Sequence, residues 1–169
     1  MRTRKTRIVI ADEDTEFHKT IQALLPVERG YDIIAGVGSG AGAIAAVQQT
    51  KPDILLLDLQ VAGVPAFEVI KELSKDATHR TIVLVKNLNF DIAFEALVAG
   101  AQGVVAKESV SEALRKCITS VSAGEIWVSR FLVKNLLFGL RCVEKLERRN
   151  GMDVVLLALR CGIDPEILS

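Results

Sequence analysis

Residues 51–59 read KPDILLLDL. The Lys-Pro-Asp opening is typical of a turn. The four apolar residues that follow, 54–57, predict a strand buried on both faces, because a half-exposed strand would alternate apolar and polar side chains. Such strands belong to parallel sheets that helices cover on each side. Asp58 stands where this strand ends, so the stretch indicates both a sheet type and a candidate functional residue.

Similar short apolar runs lie on either side of this strand, and segments of helical period separate them. The predicted strands cover residues 7–11, 31–37, 54–57, 81–85 and 103–106, and the predicted helices cover residues 14–27, 41–49, 65–73, 90–99 and 110–123. Strict alternation of this kind predicts an α/β fold with a doubly wound, five-stranded parallel sheet. Right-handed crossovers bring the carboxyl ends of the strands to one edge, where ligands bind in such folds.

The composition is that of an ordinary globular domain. The chain has 169 residues, 21 basic and 21 acidic side chains, a net charge of zero, and 50% hydrophobic residues. A chain of this length can bury a full core without disulfides or a structural metal. The hydrophobic content excludes disordered and collagenous proteins, and the zero net charge provides no overall attraction to nucleic acid.

Three cysteines and the amino terminus bear on the compartment. Cys117, Cys142 and Cys161 are too widely spaced for a disulfide framework or a zinc site, so we expect buried thiols in a reducing cytoplasm. The apolar run at residues 8–11 is too short for a secretory signal. No apolar run is long enough to span a bilayer, so we expect a cytoplasmic protein without membrane association.

Charged residues follow several of the predicted strands. Asp12 and Glu13 come after the first strand, Asp58 after the third and Lys107 after the fifth. Any one of them alone could be an ordinary loop charge. Together at one edge, carboxylates repel one another unless a cation lies between them, and Mg²⁺ prefers such oxygen ligands. Carboxylates, a divalent cation and a lysine are the parts of a phosphoryl-transfer site.

Four segments in order carry a family resemblance: residues 8–13 (IVIADE), 51–59 (KPDILLLDL), 96–107 (ALVAGAQGVVAK) and 123–129 (AGEIWVS). They resemble the response-regulator receiver family of two-component systems, in the branch usually joined to a LuxR-type DNA-binding domain. The resemblance implies a flavodoxin-like receiver with strand order 2-1-3-4-5 over residues 1–128, acting in signal transduction and not as an enzyme.

The resemblance also implies a role for each residue at the strand ends. Asp58 would accept a phosphoryl group from a sensor histidine kinase or a phosphotransfer protein. Asp12, Glu13, Asp58 and the backbone carbonyl of Gln60 would hold Mg²⁺, and Lys107 would pair with the phosphate. Phosphorylation would then control an output or partner through dimerisation or interaction.

The sequence departs from the family pattern at the residues that normally transmit the signal. Val85 stands where receivers carry a Ser or Thr hydroxyl, Lys86 follows where a small residue is common, and Val104 replaces the usual aromatic residue of the fifth strand. An alternative reading is therefore a pseudo-receiver, a dimerisation or interaction module that works without phosphorylation.

A glycine-rich turn at residues 36–41 (GVGSGA) supports a third reading. The segment fits the G-x-G-x-x-A pattern between a strand and a helix, and Asp58 stands at about the position of a ribose-binding acid. A nucleotide-binding, Rossmann-like enzyme is the interpretation that follows. The turn belongs to the second βα unit rather than the first, which weighs against it.

Beyond residue 128 the alternation stops. Residues 129–149 predict a long helix with an apolar stripe at Leu132, Leu136, Leu140 and Val143, which favours a homodimer. Residues 153–160 predict a short helix, and a further helix starts near residue 165, faintly like the opening of a LuxR-type domain. We expect residues 129–169 to form either a helical linker or extension or the start of a truncated helix-turn-helix domain. We expect no direct DNA binding by this chain alone.

Overall fold

The computed structural model describes residues 4–76 and 78–128. Within them a parallel sheet of five strands has the order β2-β1-β3-β4-β5, which confirms the predicted fold. The strands are β1 (Thr6–Ala11), β2 (Tyr31–Val37), β3 (Ile54–Asp58), β4 (Arg80–Val85) and β5 (Gly103–Ala106), and the helices are α1 (Thr15–Leu24), α2 (Gly40–Thr50), α3 (Ala66–Leu73), α4 (Phe90–Ala99) and α5 (Val110–Ser122).

The two faces of the sheet bury separate apolar clusters. Successive side chains of a strand point to opposite faces, so Leu55 and Leu57 join the cluster beneath α2, α3 and α4. Ile54 and Leu56 join the cluster that α1 and α5 cover. Every residue of β3 is buried, as the uninterrupted apolar run predicts.

The register of the sheet decides where the strand ends lie. Ala11 of β1 pairs with Leu57 of β3, and Val85 of β4 pairs with Ala106 of β5. Asp12, Asp58 and Lys107 each follow or end a strand at this same level. The fold therefore gathers them at the carboxyl edge of the sheet, as expected from the parallel alternation.

The first helix is shorter than the sequence pattern indicates. It ends at Leu24, whereas the prediction extended to residue 27. Pro26 has no N–H to continue the helical hydrogen bonds, and Val27–Arg29 instead forms a 3-10 turn that Gly30 closes with φ +89°. The helix begins at Thr15, one residue after the predicted start, because Asp14 caps it: its carboxylate accepts hydrogen bonds from the N–H groups of Glu16 and Phe17.

The chain after α5 covers the outer edge of the sheet. The N–H of Trp127 donates to the carbonyl of Gln102 at 2.8 Å, and the N–H of Val104 donates to the carbonyl of Trp127 at 3.3 Å. The half-buried Trp127 ring packs against the cluster under α5. This pairing satisfies backbone groups that an open β5 edge would leave free.

Several predictions concern residues that the structure does not describe. The helices predicted over residues 129–149 and 153–160, the expected dimer helix and two of the cysteines lie outside the described residues. Cys117 is buried as expected, and burial raises the pKa of its thiol. None of the helices between residues 4 and 128 has the length and apolar character that a bilayer crossing requires.

Candidate functional site

Two carboxylates and one lysine meet at the carboxyl edge of the sheet. The Lys107 Nζ donates to Asp12 Oδ2 at 2.6 Å and to Asp58 Oδ2 at 3.0 Å. Asp12 is only 1% exposed and Asp58 only 3%. Since buried carboxylates are costly without a partner, the shared ammonium offsets the cost of burying both. The structure thus brings together three of the five residues that the sequence singles out.

Lys107 is itself held in place by its surroundings. It directly follows β5 and opens a 3-10 turn, Lys107–Ser109. Its Nζ lies 4.6 Å from the centre of the Phe17 ring, a distance at which a cation and an aromatic face attract. Partial burial lowers the pKa of the Lys107 ammonium, but the hydrogen bonds and charges of Asp12 and Asp58 outweigh it, so the net pKa lies above the ordinary value. The lysine therefore stays charged at neutral pH.

The remaining carboxylate oxygens accept backbone hydrogen bonds. Asp12 Oδ1 accepts from the N–H of Asp14 at 2.9 Å, and Asp58 Oδ1 accepts from the N–H of Gln60 at 3.3 Å. These contacts orient both carboxylates. The longer of the two bonds leaves Asp58 Oδ1 the more weakly held oxygen of the pair.

Two side chains of α1 belong to the site but were not among the residues predicted from the sequence. The ring of Phe17, an apolar residue of α1, lies against Lys107. His18 is half-buried, and its Nε2 lies 2.8 Å from the carbonyl oxygen of Asp12. The available signal was their position one turn after the acidic loop, on the helix that covers the strand end.

Glu13 and Gln60 are placed beside the site without joining the lysine-bridged pair. Glu13 is exposed, and no hydrogen bond or ion pair joins its carboxylate to another described residue. Gln60 is also exposed and touches Asp58 through its N–H. Over residues 4–76 and 78–128, no three acidic, histidine or cysteine side chains cluster as a complete metal cage.

The donor chemistry nevertheless fits a magnesium ion. Mg²⁺ is commonly held by one or two carboxylates, keeps several waters and takes further oxygens from a phosphate. Asp12 and Asp58 supply two buried carboxylates side by side, which meets that requirement without a third acid. Glu13 and the Gln60 carbonyl remain predicted ligands.

The three atypical positions lie as the sequence predicts. Val85 is the last residue of β4 and is 1% exposed, and Val104 in β5 is fully buried. Neither offers a hydroxyl or an aromatic ring at this edge. Lys86 is exposed, and the ion pairs to Asp12 and Asp58 come from Lys107 instead.

The glycine-rich turn is explained by packing. A Cβ at Gly40 would lie 2.2 Å from the carbonyl oxygen of Val64, and a Cβ at Gly36 would lie 2.7 Å from Nδ1 of His18. The N–H of Gly40 donates to the carbonyl of Ala62, which binds the start of α2 to the loop after β3. Close approach of protein groups therefore accounts for these glycines without a nucleotide.

Comparison with known proteins gives one consistent result. The profile described as the response regulator receiver domain matches residues 8–119. The chain is 26% identical over 151 residues to the nitrate/nitrite response regulator protein homolog of Haemophilus influenzae, covering 88% of this chain and 69% of that protein. It is 27% identical over 139 residues to the nitrate/nitrite response regulator protein NarP of Escherichia coli, covering 79% and 64%.

A solved structure agrees with these matches. A two-component response regulator of the LuxR family from Aurantimonas sp. superposes with a TM-score of 0.71 at 26% identity, over 77% of this chain and 94% of that one. The chain spans about two thirds of the length of the two curated relatives.

Proposed function

The chain belongs to the response-regulator receiver family, and we propose that it accepts a phosphoryl group on Asp58 from a histidine kinase or a phosphotransfer protein. The observation that carries the proposal is the single ammonium of Lys107 shared by Asp12 and Asp58 at the carboxyl edge of the sheet. A buried nucleophile, a neighbouring acid and a fixed cation are the protein groups that phosphoryl transfer to a carboxylate needs.

In the proposed step an oxygen of the Asp58 carboxylate attacks the phosphorus of a phosphohistidine. A phosphorus–oxygen bond forms, the phosphorus–nitrogen bond breaks, and its electron pair returns to the imidazole of the donor. The protein gains a mixed anhydride on Asp58. Lys107 stays charged throughout and is already within hydrogen-bond distance of Asp58, so it can pair with an oxygen of the transferred group.

Asp12 and Asp58 would hold Mg²⁺, with Glu13 and the backbone carbonyl of Gln60 as further ligands. The bound ion supplies positive charge that offsets the repulsion between the phosphate and the carboxylates. Asp12 is oriented for this role by the N–H of Asp14. His18 holds the adjacent backbone through the Asp12 carbonyl.

We propose that phosphorylation acts by changing how the domain associates with a second copy of itself or with a partner. We expect phosphorylation to alter a homodimer or a partner interaction in the cytoplasm, where a cognate kinase would meet this domain. The expectation that residues 1–169 alone do not bind DNA directly stays a prediction. One of the relatives is described as a DNA-binding transcriptional activator, which makes control of transcription the output we favour.

A second candidate function rests on Val85 and Val104. Their buried apolar side chains provide no hydroxyl to bind the phosphate and no aromatic ring to rotate. A pseudo-receiver would keep the fold and associate with its partner in the same way with or without phosphate. The two proposals differ in one observable, the response of the oligomeric state to phosphorylation.

The test is intact mass after incubation with Mg²⁺ and a small phosphodonor such as acetyl phosphate, on the wild type, Asp58→Ala and Asp53→Ala. Asp53 is a matched carboxylate at the opposite end of β3. We expect one phosphate adduct in the wild type and in Asp53→Ala, and none in Asp58→Ala or with EDTA. Absence of an adduct in folded wild type, with kinase donors as well, would reject the proposal. An adduct that leaves light scattering unchanged would favour the pseudo-receiver.

A further inference from the structure

A polar cleft lies at the other edge of the sheet, where the strands begin. Its volume is about 320 Å³, and its walls come from the start of β1, the residues before β3 and β4, and the end of α5. Asp53, the residue before β3, lines this cleft, and Asp58 ends β3. At about 3.3 Å per residue the two lie roughly 16 Å apart, so the cleft is separate from the proposed phosphorylation site.

The cleft carries an excess of positive charge. Arg4, Lys5 and Arg80 line it together with one acid, Asp53. That acid is already engaged, because Oδ1 accepts from Arg4 at 2.6 Å and Oδ2 accepts from the N–H of Arg7 at 2.8 Å. Among the residues that the structure describes, no acid forms an ion pair with Lys5 or Arg80. Two cations therefore face the cleft with their charge unmatched.

His79 adds a buried polar group to the wall. It is 7% exposed, and its Nδ1 has no hydrogen-bond partner among the described residues. Buried nitrogen atoms without a partner are rare in folded proteins because each one costs free energy. Burial lowers the pKa of the imidazole, Asp76 opposes this, and Arg80 and Lys51 lower it further. The neutral ring has one N–H to donate and one nitrogen to accept.

Hydroxyl groups complete the lining. Thr6, Thr78 and Ser122 each border the cleft and can donate to an oxygen atom. The described lining contains no Phe, Tyr or Trp on which a nucleobase would stack. Guanidinium, ammonium and hydroxyl groups around a small volume suit a compact oxyanion, and the volume lies at the lower end of the range for small-molecule sites.

We propose that this cleft binds a small phosphate-bearing anion, either inorganic phosphate or a low-molecular-weight phosphomonoester, through Lys5, Arg80 and the cleft hydroxyls. Arg4 stays paired with Asp53 and shapes the entrance. The ligand brings negative charge to the unmatched cations, and the cleft hydroxyls donate to its oxygens. Such a site would let the domain sense a phosphorylated metabolite or phosphate itself at the edge opposite Asp58.

The test is isothermal titration calorimetry of the full chain with inorganic phosphate and with glycerol 3-phosphate. Ionic strength is held constant with KCl, and EDTA removes divalent ions so that Asp58 cannot bind phosphate through a metal. The variants are the double variant Lys5→Gln/Arg80→Gln, the variant Asp58→Asn, and the control Lys116→Gln, which changes an exposed lysine of α5 outside the cleft. We expect saturable binding by the wild type and by Lys116→Gln. The double variant should bind at least about tenfold more weakly, which corresponds to a loss of about 1.4 kcal/mol in binding free energy.

Each other outcome decides the matter as well. Equal weakening in Lys116→Gln would show general charge screening and would overturn the site. Loss of binding in Asp58→Asn would place the anion at the wrong edge and would also overturn it. If neither anion gives a saturable binding isotherm with the wild type, the proposed site is also overturned. Preference for one of the two anions identifies the source of the phosphate. If the double variant does not fold, a shift of the His79 imidazole resonances in wild type on phosphate titration supports the site, and unchanged resonances reject it.

Discussion

The ammonium of Lys107 and the carboxylate of Asp12 approach to 2.6 Å across 95 residues of sequence. The same nitrogen lies 3.0 Å from Asp58 Oδ2, so one positive charge serves two buried negative ones. The group as a whole carries a net negative charge, which a divalent cation or a transferred phosphate would alter in opposite directions. Changes in the charge of this cluster should therefore affect both the stability of the domain and its binding of a cation or a phosphate.

Removal of the lysine charge should destabilise the fold. Lys107→Met leaves Asp12 and Asp58 buried without a cation, and breaking a buried pair of this kind costs of the order of 3 kcal/mol. Urea unfolding in EDTA should show that loss, and addition of Mg²⁺ should restore more stability to Lys107→Met than to the wild type. Lys116→Met is the control, since Lys116 is exposed. Equal stability of the two variants would contradict the bridging role.

The two acids after β1 should contribute unequally to magnesium binding. Asp12 is buried beside Asp58, whereas Glu13 is exposed and unpaired among the described residues. We expect Asp12→Asn to abolish Mg²⁺-dependent phosphorylation and Glu13→Gln to raise the required Mg²⁺ concentration by roughly tenfold, the effect of one contact worth about 1.4 kcal/mol. The measurement is the phosphorylation rate by intact mass across a Mg²⁺ titration. Identical titration curves for Glu13→Gln and wild type would remove Glu13 from the ligand set.

A hydroxyl at the end of β4 should strengthen binding of a phosphoryl mimic. Val85→Thr supplies a donor at the strand end, and a hydrogen bond to a charged group contributes about 1.5–3 kcal/mol. We expect beryllium fluoride, in the presence of Mg²⁺, to bind Val85→Thr at least about tenfold more tightly than wild type. Val83→Thr is the matched control, because Val83 is buried in the same apolar cluster two residues earlier. Equal affinity for Val85→Thr and Val83→Thr would show that position 85 does not reach the anion.

Different parts of the molecule were predictable from sequence to different degrees. The apolar run before Asp58 predicted a doubly buried strand, and the parallel alternation placed Asp12, Asp58 and Lys107 at one edge. These predictions are confirmed because strand burial follows from the local run of apolar residues, and the handedness of the crossovers is the same in nearly all parallel sheets. The position of Phe17 and His18 one turn after the acidic loop indicated that they lie near the site, but their contacts depend on how α1 rotates against the strand ends. The predicted end of α1 was wrong because Leu25 and Val27 continue the apolar pattern, whereas Pro26 cannot continue the helical hydrogen bonds and the helix ends at Leu24.

The glycines of the turn after β2 should differ sharply in their tolerance of a methyl group. A Cβ at Gly40 meets the backbone oxygen of Val64 at 2.2 Å, which cannot move without displacing the loop after β3. A Cβ at Gly36 meets Nδ1 of the His18 ring at 2.7 Å, and that side chain can rotate away at the cost of its one contact with the Asp12 carbonyl. We expect Gly40→Ala to cost at least about 2 kcal/mol and Gly36→Ala less than about 1 kcal/mol in urea unfolding.

A second measurement separates packing from nucleotide binding at the same turn. If packing explains the glycines, NAD⁺ and ATP should not raise the melting temperature of the wild type. The cost of Gly36→Ala should also fall when His18→Ala is added, because the clash disappears with the ring. A nucleotide-dependent rise in melting temperature that Gly36→Ala removes would revive the Rossmann-like reading.

The buried imidazole of His79 should make the fold less stable in mild acid. Its pKa in the folded state lies below the ordinary 6.5, because burial lowers it by more than Asp76 raises it, and Arg80 and Lys51 lower it further. Below pH 6.5 the unfolded chain therefore binds the proton more readily than the folded one. The contribution to stability is complete above about pH 6.5, declines as the pH falls through that value, and stops declining below the folded pKa. Between pH 7.5 and 5.5 the loss can reach about 1.4 kcal/mol. Urea unfolding at these two pH values should show a smaller acid loss in His79→Gln than in the wild type, and equal losses would show that His79 is not held neutral.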